Sequence, residues 1–286
     1  MRAAVLGSPI GHSLSPVLHI AAYASLGLTG WSYEAIECDE AGLPALLASL
    51  GPDWAGLSLT MPLKRAVLPL LDHAEALVSE VAAANTVVLA DGTANGYNTD
   101  VPGMVTALTQ AGAAPHGPVL ILGGGATACS AVAALRRMGV QQVTVAVRNA
   151  AAAGPLLAVA DRAGLRAELV AFGPGPQHDD WLAAYRDRVW ALLLSTVPGQ
   201  AASGYAELLA AGQLSADVVF DVVYDPWPTA LAAAAATAGF RVIGGLELLL
   251  HQAAEQVRLM TGRPAPVEAM RAAGLAAVAA RGGGGP

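Results

Sequence analysis

A chain of 286 residues is long enough for one large or two modest domains, each with its own core. Hydrophobic residues make up 55% and charged residues 13%, which excludes disorder as the main state; with aromatics at only 5%, the cores must be aliphatic. The formal net charge is −7 and basic residues adjoin only at Lys64-Arg65 and Arg136-Arg137, which argues against non-specific binding to nucleic acid or anionic membrane.

Cys38 and Cys129 stand far apart, with no CxxC and no His–Cys cluster, so neither a disulfide framework nor a metal site is expected. The N-terminal apolar run is too short for a signal peptide. The uncharged stretch from Pro118 to Leu135 carries Gly123, Gly124 and Gly125 in its first half. It reads as a strand turning into a helix, not as a membrane span. A cytoplasmic protein is expected.

In chain order, RAAVLG ends in Gly7 and reads as a buried strand. Ser15-Pro16 reads as an oxygen-bearing N-cap with proline at the first helical position, opening a helix that stops at Gly27. Trp31 to Glu37 alternates apolar with polar residues, as a half-buried strand does. A helix around Leu43 to Leu50 and strands near Trp54–Leu59 and Asn85–Ala90 follow, with Asp91-Gly92 as a turn signal.

From about Pro115–Pro118 the pattern changes. VLILG, VTVAV, RAELV, VWALLLS, VVFDV and RVIGG alternate with alanine-rich helical stretches at Ala128–Met138, Ala206–Ala211 and Ala230–Ala238. Strand–helix repetition at this spacing predicts a parallel sheet wrapped by helices. The run LELLLHQAAEQVRLM reads as a long helix stopped by Thr261-Gly262, packing back on the first unit. The fold expected is α/β in two domains with a cleft between them. Residues 1–103 with 246–286 form a discontinuous substrate-binding and catalytic domain, and residues 104–245 a Rossmann-type, doubly wound nucleotide domain.

VLILGGGATACSAVAAL contains a GxGxxA turn at Gly123, Gly125 and Ala128. The first glycine permits the tight turn, the second lets backbone approach a pyrophosphate, and the alanine allows close helix–strand packing. A helix N-terminus then meets the phosphates with unbonded amides. NAD sites place an acid after the next strand, yet no Asp or Glu occurs between Ala126 and Ala160. Arg148 stands there instead, with Asn149, which favours the 2′-phosphate of NADP.

Four segments of the first unit hold polar residues at expected strand ends or loops: Ser13-Leu14-Ser15, Thr60 to Lys64, Asn85-Thr86 and Asn98-Thr99-Asp100. Together they supply hydroxyls, an amine, an amide and a carboxylate, a set suited to a polyhydroxylated acid. Each residue also has a plain structural use: Ser15 as a cap, Thr60 as a strand end, Lys64 as a solvated lysine, Asn85 in a turn, Asp100 as the cap of a helix near Gly103.

These segments carry a family resemblance. GSPIGHSLSPVLH resembles the N-terminal signature of shikimate dehydrogenases, LSLTMPLK their strand and loop with the catalytic lysine, and AANTVV and GYNTD their asparagine and aspartate motifs. The glycine turn, STVP, DVVYDPWPTAL and GGLELLLHQAAEQ follow in the family's order, covering about residues 4 to 262.

The resemblance implies an NADP-dependent oxidoreductase interconverting 3-dehydroshikimate and shikimate on the route to chorismate and the aromatic amino acids. Lys64 and Asp100 would be the catalytic pair, assisting proton transfer as hydride moves. Ser13, Ser15 and Tyr224 would hold the substrate carboxylate, and Thr60, Asn85 and Gln252 its ring hydroxyls. Gly123, Gly124, Gly125, Ala126, Thr127, Ala128, Arg148, Asn149, Thr196, Val197 and Gly245 would hold NADP. No metal is implied, nor any partner beyond the small molecules, and the chain would act as a monomer or homodimer.

Five positions depart from the family pattern: Ser58-Leu59-Thr60 for Asn-Val-Thr, Val101-Pro102 for a glycine, Leu248 for a methionine, Cys129 for an arginine, and Ala150 to Ala153 where a second basic residue is usual. The last two lower the expected NADP affinity and leave room for NAD. An NAD-linked quinate/shikimate or aminoshikimate-type dehydrogenase, and a non-catalytic ligand-binding regulator, are the alternatives. Loss of Lys64 or Asp100 would mark the regulator, and both are present.

Overall fold

The computed structural model describes residues 1–171, 185 and 188–282. Six strands of the first hundred residues make one sheet: β1 (Arg2–Gly7), β2 (Ser32–Glu37), β3 (Trp54–Leu59), β4 (His73–Ala74), β5 (Thr86–Ala90) and β6 (Thr93–Tyr97). They lie in the order β2-β1-β3-β5-β6-β4. β1 runs parallel to β2 and β3, and β5 antiparallel to β3 and β6. β3 is buried at every position and β1 at all but Arg2, so both read as continuous apolar runs, as strands covered on both faces do.

The Asp91-Gly92 turn has positive φ at both residues, 51° and 74°, and joins β5 to β6 as a two-residue hairpin. β6 is absent from the sequence reading. Its Thr-Ala-Asn-Gly-Tyr has little strand propensity, and pairing along the full length of β5 makes the strand. Ser15 also departs from expectation. Leu14 occupies the N-cap, Ser15 is the first residue of the helix Ser15–Ser25, and no side chain caps it. The Ser15 N–H instead donates to Ser13 Oγ at 3.3 Å.

One face of this sheet packs Leu6, Leu57, Leu59, Leu63, Val67 and Val87. Ala3, Val5, Tyr23, Tyr33 and Met260 form a second cluster. Leu18 and Ala22 of the helix Ser15–Ser25 meet Leu250, Ala253 and Val257 of the helix Gly245–Thr261, with Met270 of the helix Val267–Gly282. Burying each such large aliphatic contributes about 1.5–3 kcal/mol, so these clusters, not surface ion pairs, hold the unit together.

Eight further strands follow: β7 (Val119–Leu122), β8 (Gln142–Val147), β9 (Arg166–Ala171), β10 (Val189–Trp190), β11 (Leu192–Ser195), β12 (Ser215–Ala216), β13 (Val218–Asp221) and β14 (Arg241–Gly244). Six of them form a wholly parallel sheet in the order β9-β8-β7-β11-β13-β14. The chain winds outward from β7 to β9, then returns to the centre at β11 and winds the other way. This is the doubly wound Rossmann arrangement, and its order reverses between β7 and β11. The run VWALLLS is not one strand, since it breaks at Ala191, whose N–H donates to the Pro118 carbonyl at 2.9 Å. Its first part pairs with β12 in a separate two-stranded sheet. Met1–Gly103 with Leu249–Pro286 make one compact unit and Met104–Leu248 another. No helix among the described residues is long and apolar enough to cross a membrane.

His19 tests the packing of the first unit. Its fully buried ring stacks on Tyr33 with centroids 3.9 Å apart, and Nδ1 lies 2.9 Å from the Ser15 carbonyl, which can only accept. Burial without a charged partner pulls the imidazole down from 6.5 to about 4, against the smaller opposing effect of the Ser15 bond. Between those values the unfolded chain binds a proton that the folded chain refuses. Stability is therefore full above pH 6.5 and falls as pH drops towards 4, by about 3 kcal/mol in all. His19→Phe keeps the stacking and removes the titration. Urea unfolding at pH 7.0 and 4.5 should show a smaller acid loss in the variant; equal losses would rule out this origin.

Candidate active site

The end of β3 and the start of the next turn position Lys64. The Thr60 N–H still pairs with the Leu6 carbonyl at 2.9 Å, extending the sheet by one residue. Leu63 N–H then donates to the Thr60 carbonyl at 2.8 Å, starting the short helix Leu63–Ala66 that carries Lys64. The Lys64 carbonyl accepts from Ala84 N–H at 2.8 Å, which ties this turn to the segment bearing Asn85. Asp100 opens the helix Asp100–Gln110, and Asn98 caps it, its Oδ1 accepting from Val101 N–H at 3.2 Å.

Lys64 Nζ lies 2.6 Å from Asp100 Oδ2, with side-chain exposures of 15% and 6%. The other carboxylate oxygen, Oδ1, accepts from Asn85 Nδ2 at 2.8 Å. The Asn85 amide can sit only one way round. Its oxygen takes the backbone N–H of Thr99 at 2.7 Å, and an N–H can only donate. The NH₂ end therefore faces Asp100, with Thr99 Oγ1 at 2.9 Å and Gln252 Oε1 at 3.3 Å. Gln252 is fixed in turn, because its own NH₂ donates to the Leu249 carbonyl at 2.9 Å.

Gly103 allows Gln252 to reach this cluster. A Cβ on Gly103 would lie 2.8 Å from the backbone nitrogen of Gln252 and 3.1 Å from its Cβ. Only a hydrogen fits where the helices Asp100–Gln110 and Gly245–Thr261 touch.

Among the residues singled out from sequence, Lys64, Asp100, Asn85 and Gln252 thus form one hydrogen-bonded group. Thr60 stands half-buried on the Lys64 turn. Ser13, half-buried, and Ser15, buried, are bonded to each other, and the preceding His12 carbonyl accepts from Arg281 of the last helix at 2.9 Å. Tyr224 follows β13 in the second unit, half-buried. Sequence reasoning gave no role to Ser58, buried in β3, or to Gln256, buried one helical turn after Gln252. A lone serine in an otherwise apolar strand, and a second glutamine on the same helix face, were the available signals.

In the second unit, Gly123 turns the chain from β7 into the helix Ala126–Arg137 with φ of 103°. A Cβ there would lie 2.7 Å from Thr196 Oγ1 and 2.8 Å from Val197 Cγ1, so the two loops at the order reversal meet only because this residue is glycine. Thr196 donates to the Leu122 carbonyl through both its N–H, at 2.9 Å, and its hydroxyl, at 2.8 Å. A Cβ on Gly125 would meet nothing within 4 Å, leaving its backbone open to a ligand. Ala126 and Thr127 offer the first helical amides, no acid stands in that first turn, and Ala128 is fully buried against the sheet.

A cavity of about 450 Å³ lies beside this turn, lined by Gly123, Gly124, Val147, Arg148, Asn149 and Tyr205 among others. Arg148 is exposed just past β8. Asn149 Oδ1 caps the following turn by accepting from Ala151 N–H at 3.0 Å. Gly245 starts the helix Gly245–Thr261 and lies against the Val222 carbonyl, where no Cβ fits. A close glycine approach, unopposed helix amides and a cation in place of an acid fit a dinucleotide carrying an extra phosphate. Cys38 and Cys129 are both buried and in no disulfide, and no group of three His, Cys, Asp or Glu suited to a metal occurs among the described residues.

Residues 5–87 match the family model described as the shikimate dehydrogenase substrate binding domain, and residues 245–273 that of the shikimate 5′-dehydrogenase C-terminal domain. A shikimate dehydrogenase (NADP(+)) from Citrifermentans bemidjiense is 38% identical over 95% of this chain and 93% of its own. The crystal structure of Mycobacterium tuberculosis shikimate dehydrogenase superimposes with a TM-score of 0.83 at 45% identity, covering 96% of this chain and 99% of that one. That of a Thermus thermophilus shikimate 5-dehydrogenase, in complex with NADP(H) and shikimate, gives 0.79 at 34% identity, covering 97% and 99%.

The helix contact at Gly103 is directly testable. Gly103→Ala should destabilise the protein by about 1–3 kcal/mol, because the added methyl meets backbone that must shift. Urea denaturation reads this as a lower midpoint with an unchanged slope.

Proposed function

The chain belongs to the shikimate dehydrogenase family, and on that premise we propose that it is an NADP-dependent shikimate dehydrogenase, reducing 3-dehydroshikimate reversibly to shikimate with Lys64 and Asp100 assisting the proton. The observation that carries this reading is the 2.6 Å Lys64–Asp100 pair, braced from its far side by Asn85. The substrate is assigned to residues 1–103 with 246–286, and NADP to residues 104–245. NADPH, when bound, supplies the hydride. What falls to the protein is placement and the proton.

A hydride arriving at a ring carbonyl carbon leaves negative charge on the oxygen. The Lys64 ammonium donates to that oxygen and delivers the proton as the charge develops. Asp100 keeps the ammonium on one bearing, since its Oδ2 holds Nζ while Oδ1 is held by Asn85. In the oxidative direction the same pair takes the hydroxyl proton. Ser13 and Ser15 donate hydroxyls to the substrate carboxylate, and Thr60, Asn85 and Gln252 meet the ring hydroxyls. Gly123 to Ala128 cradle the pyrophosphate, with Thr196, Val197 and Gly245 completing the cofactor's surroundings. Arg148 and Asn149 meet the 2′-phosphate.

Reduction of NADP and of NAD, each with shikimate and with quinate, tests the reading alongside Lys64→Ala. Fast NADP reduction with shikimate should fall by about 10²–10⁴-fold in the variant, the usual worth of a positioned acid–base group. Preference for NAD or quinate would overturn the cofactor or substrate assignment, and absence of turnover with every pair would leave a binding protein. Arg148→Ala should raise KM for NADP by about 10- to 100-fold while leaving KM for NAD unchanged, as loss of a charged hydrogen bond does. Parallel changes for both cofactors would remove Arg148 from phosphate recognition.

A further inference from the structure

Gln256 is 1% exposed and stands on the helix Gly245–Thr261 with both ends of its amide engaged. Nε2 lies 3.3 Å from the Asn85 backbone carbonyl, which can only accept, so this end must be the NH₂. The same nitrogen donates to Thr86 Oγ1 at 3.0 Å. The amide oxygen is left for Ser58 Oγ, which donates to it at 2.8 Å. With its one proton so used, Ser58 can only accept from Tyr33, whose hydroxyl donates at 2.7 Å. Burial pushes the Tyr33 phenol well up, which keeps that proton in place.

The other end is fixed as firmly. Thr86 donates to Asn85 Oδ1 at 3.0 Å, and Asn85 donates to Asp100 Oδ1 at 2.8 Å. Every bond from Tyr33 to Asp100 therefore points the same way. Two backbone groups, the Thr99 N–H and the Asn85 carbonyl, forbid the reverse order. Donors aligned head to tail polarise one another, and here the accumulated effect falls on the carboxylate that holds Lys64. Gln256 links Ser58 and Tyr33, on one side, to the Asn85 amide on the other.

We propose that Gln256 is a positioning residue for the reaction, the central link of a one-way hydrogen-bond chain from Tyr33 through Ser58, Thr86 and Asn85 to Asp100. The Thr99 N–H turns the Asn85 amide; Gln256, by donating to Thr86, commits the Thr86 proton to Asn85 Oδ1 and so polarises the amide that holds the Lys64–Asp100 pair. The chain also accounts for Ser58 where the family usually has asparagine, because the Tyr33 phenol and the serine hydroxyl together span from β2, past β1, to β3 and Gln256. This role rests on the assignment of Lys64 and Asp100 as the catalytic pair.

Steady-state kinetics with shikimate and NADP test it. Gln256→Met, close to isosteric, should lower kcat by about tenfold with KM for NADP unchanged and KM for shikimate within about twofold, since the Thr99 N–H still orients Asn85 while the polarisation reaching Asp100 is lost. Tyr33→Phe removes only the first, remote donor and should lower kcat about two- to threefold with little change in Tm. A Gln256→Met protein that melts earlier but turns over at the normal kcat would overturn the proposal, leaving Gln256 a packing residue. If that variant does not fold, normal kcat in Tyr33→Phe overturns it equally. Lys64→Ala and Asp100→Asn separate the two levels: activity retained in both defeats the catalytic pair itself, whereas activity lost in both and unchanged in Gln256→Met defeats only the chain.

Discussion

The Thr99 backbone N–H lies 2.7 Å from the side-chain oxygen of Asn85, and much of the first unit's polar interior follows from that bond. It turns the amide so that its nitrogen faces Asp100, and it makes Thr86 a donor to the same oxygen. A buried amide free to flip would alternate between supporting a carboxylate and repelling it. Held by main chain, it supports one arrangement only, and the elements that supply the main chain become part of the site. The Asn85 N–H pairs with the Tyr97 carbonyl at 3.1 Å, so the β5–β6 hairpin and the start of the helix Asp100–Gln110 are locked to one another.

An ion pair as little exposed as Lys64–Asp100 is a poor source of stability. Removing two charges from water costs several kcal/mol each, and an apolar replacement often does as well or better. Stability comes from the aliphatic faces of the sheet and from the helix contacts at Leu18, Leu250 and Val257. The pair is held in place by hydrogen bonds that leave each oxygen of Asp100 one charged or amide donor. In the function proposed above its worth is chemical, as a proton donor and acceptor kept at a fixed bearing.

The second unit meets a different demand with backbone alone. Where β7 and β11 diverge, Gly123 and Thr196 close the gap, and the helix Ala126–Arg137 starts with its amides directed at the same place. A cation, the exposed Arg148, follows β8. In the function proposed above, attraction to the phosphates divides into a main-chain part, indifferent to which dinucleotide is present, and a side-chain part that distinguishes them.

Much of this was legible in the residues before any coordinates. Long apolar runs marked β1, β3, β7, β8 and β13, and β11 as part of a longer run, because a strand covered on both faces has few polar positions to obscure it. The glycine turn carried its geometry in its composition, since only glycine takes a φ of 103° without strain. By itself the sequence also determined which chemical groups are present: a lysine, an acid, amides, hydroxyls and a cation after β8. Tertiary structure decided what those groups do to one another. β6 exists because β5 pairs with it, Gln252 reaches Asn85 because Gly103 admits its helix, and Ser58 and Gln256 meet across 198 positions of chain. Periodicity reports which residues face inward. The direction of a hydrogen bond depends on which donor or acceptor from another segment is packed against it, and no local pattern contains that.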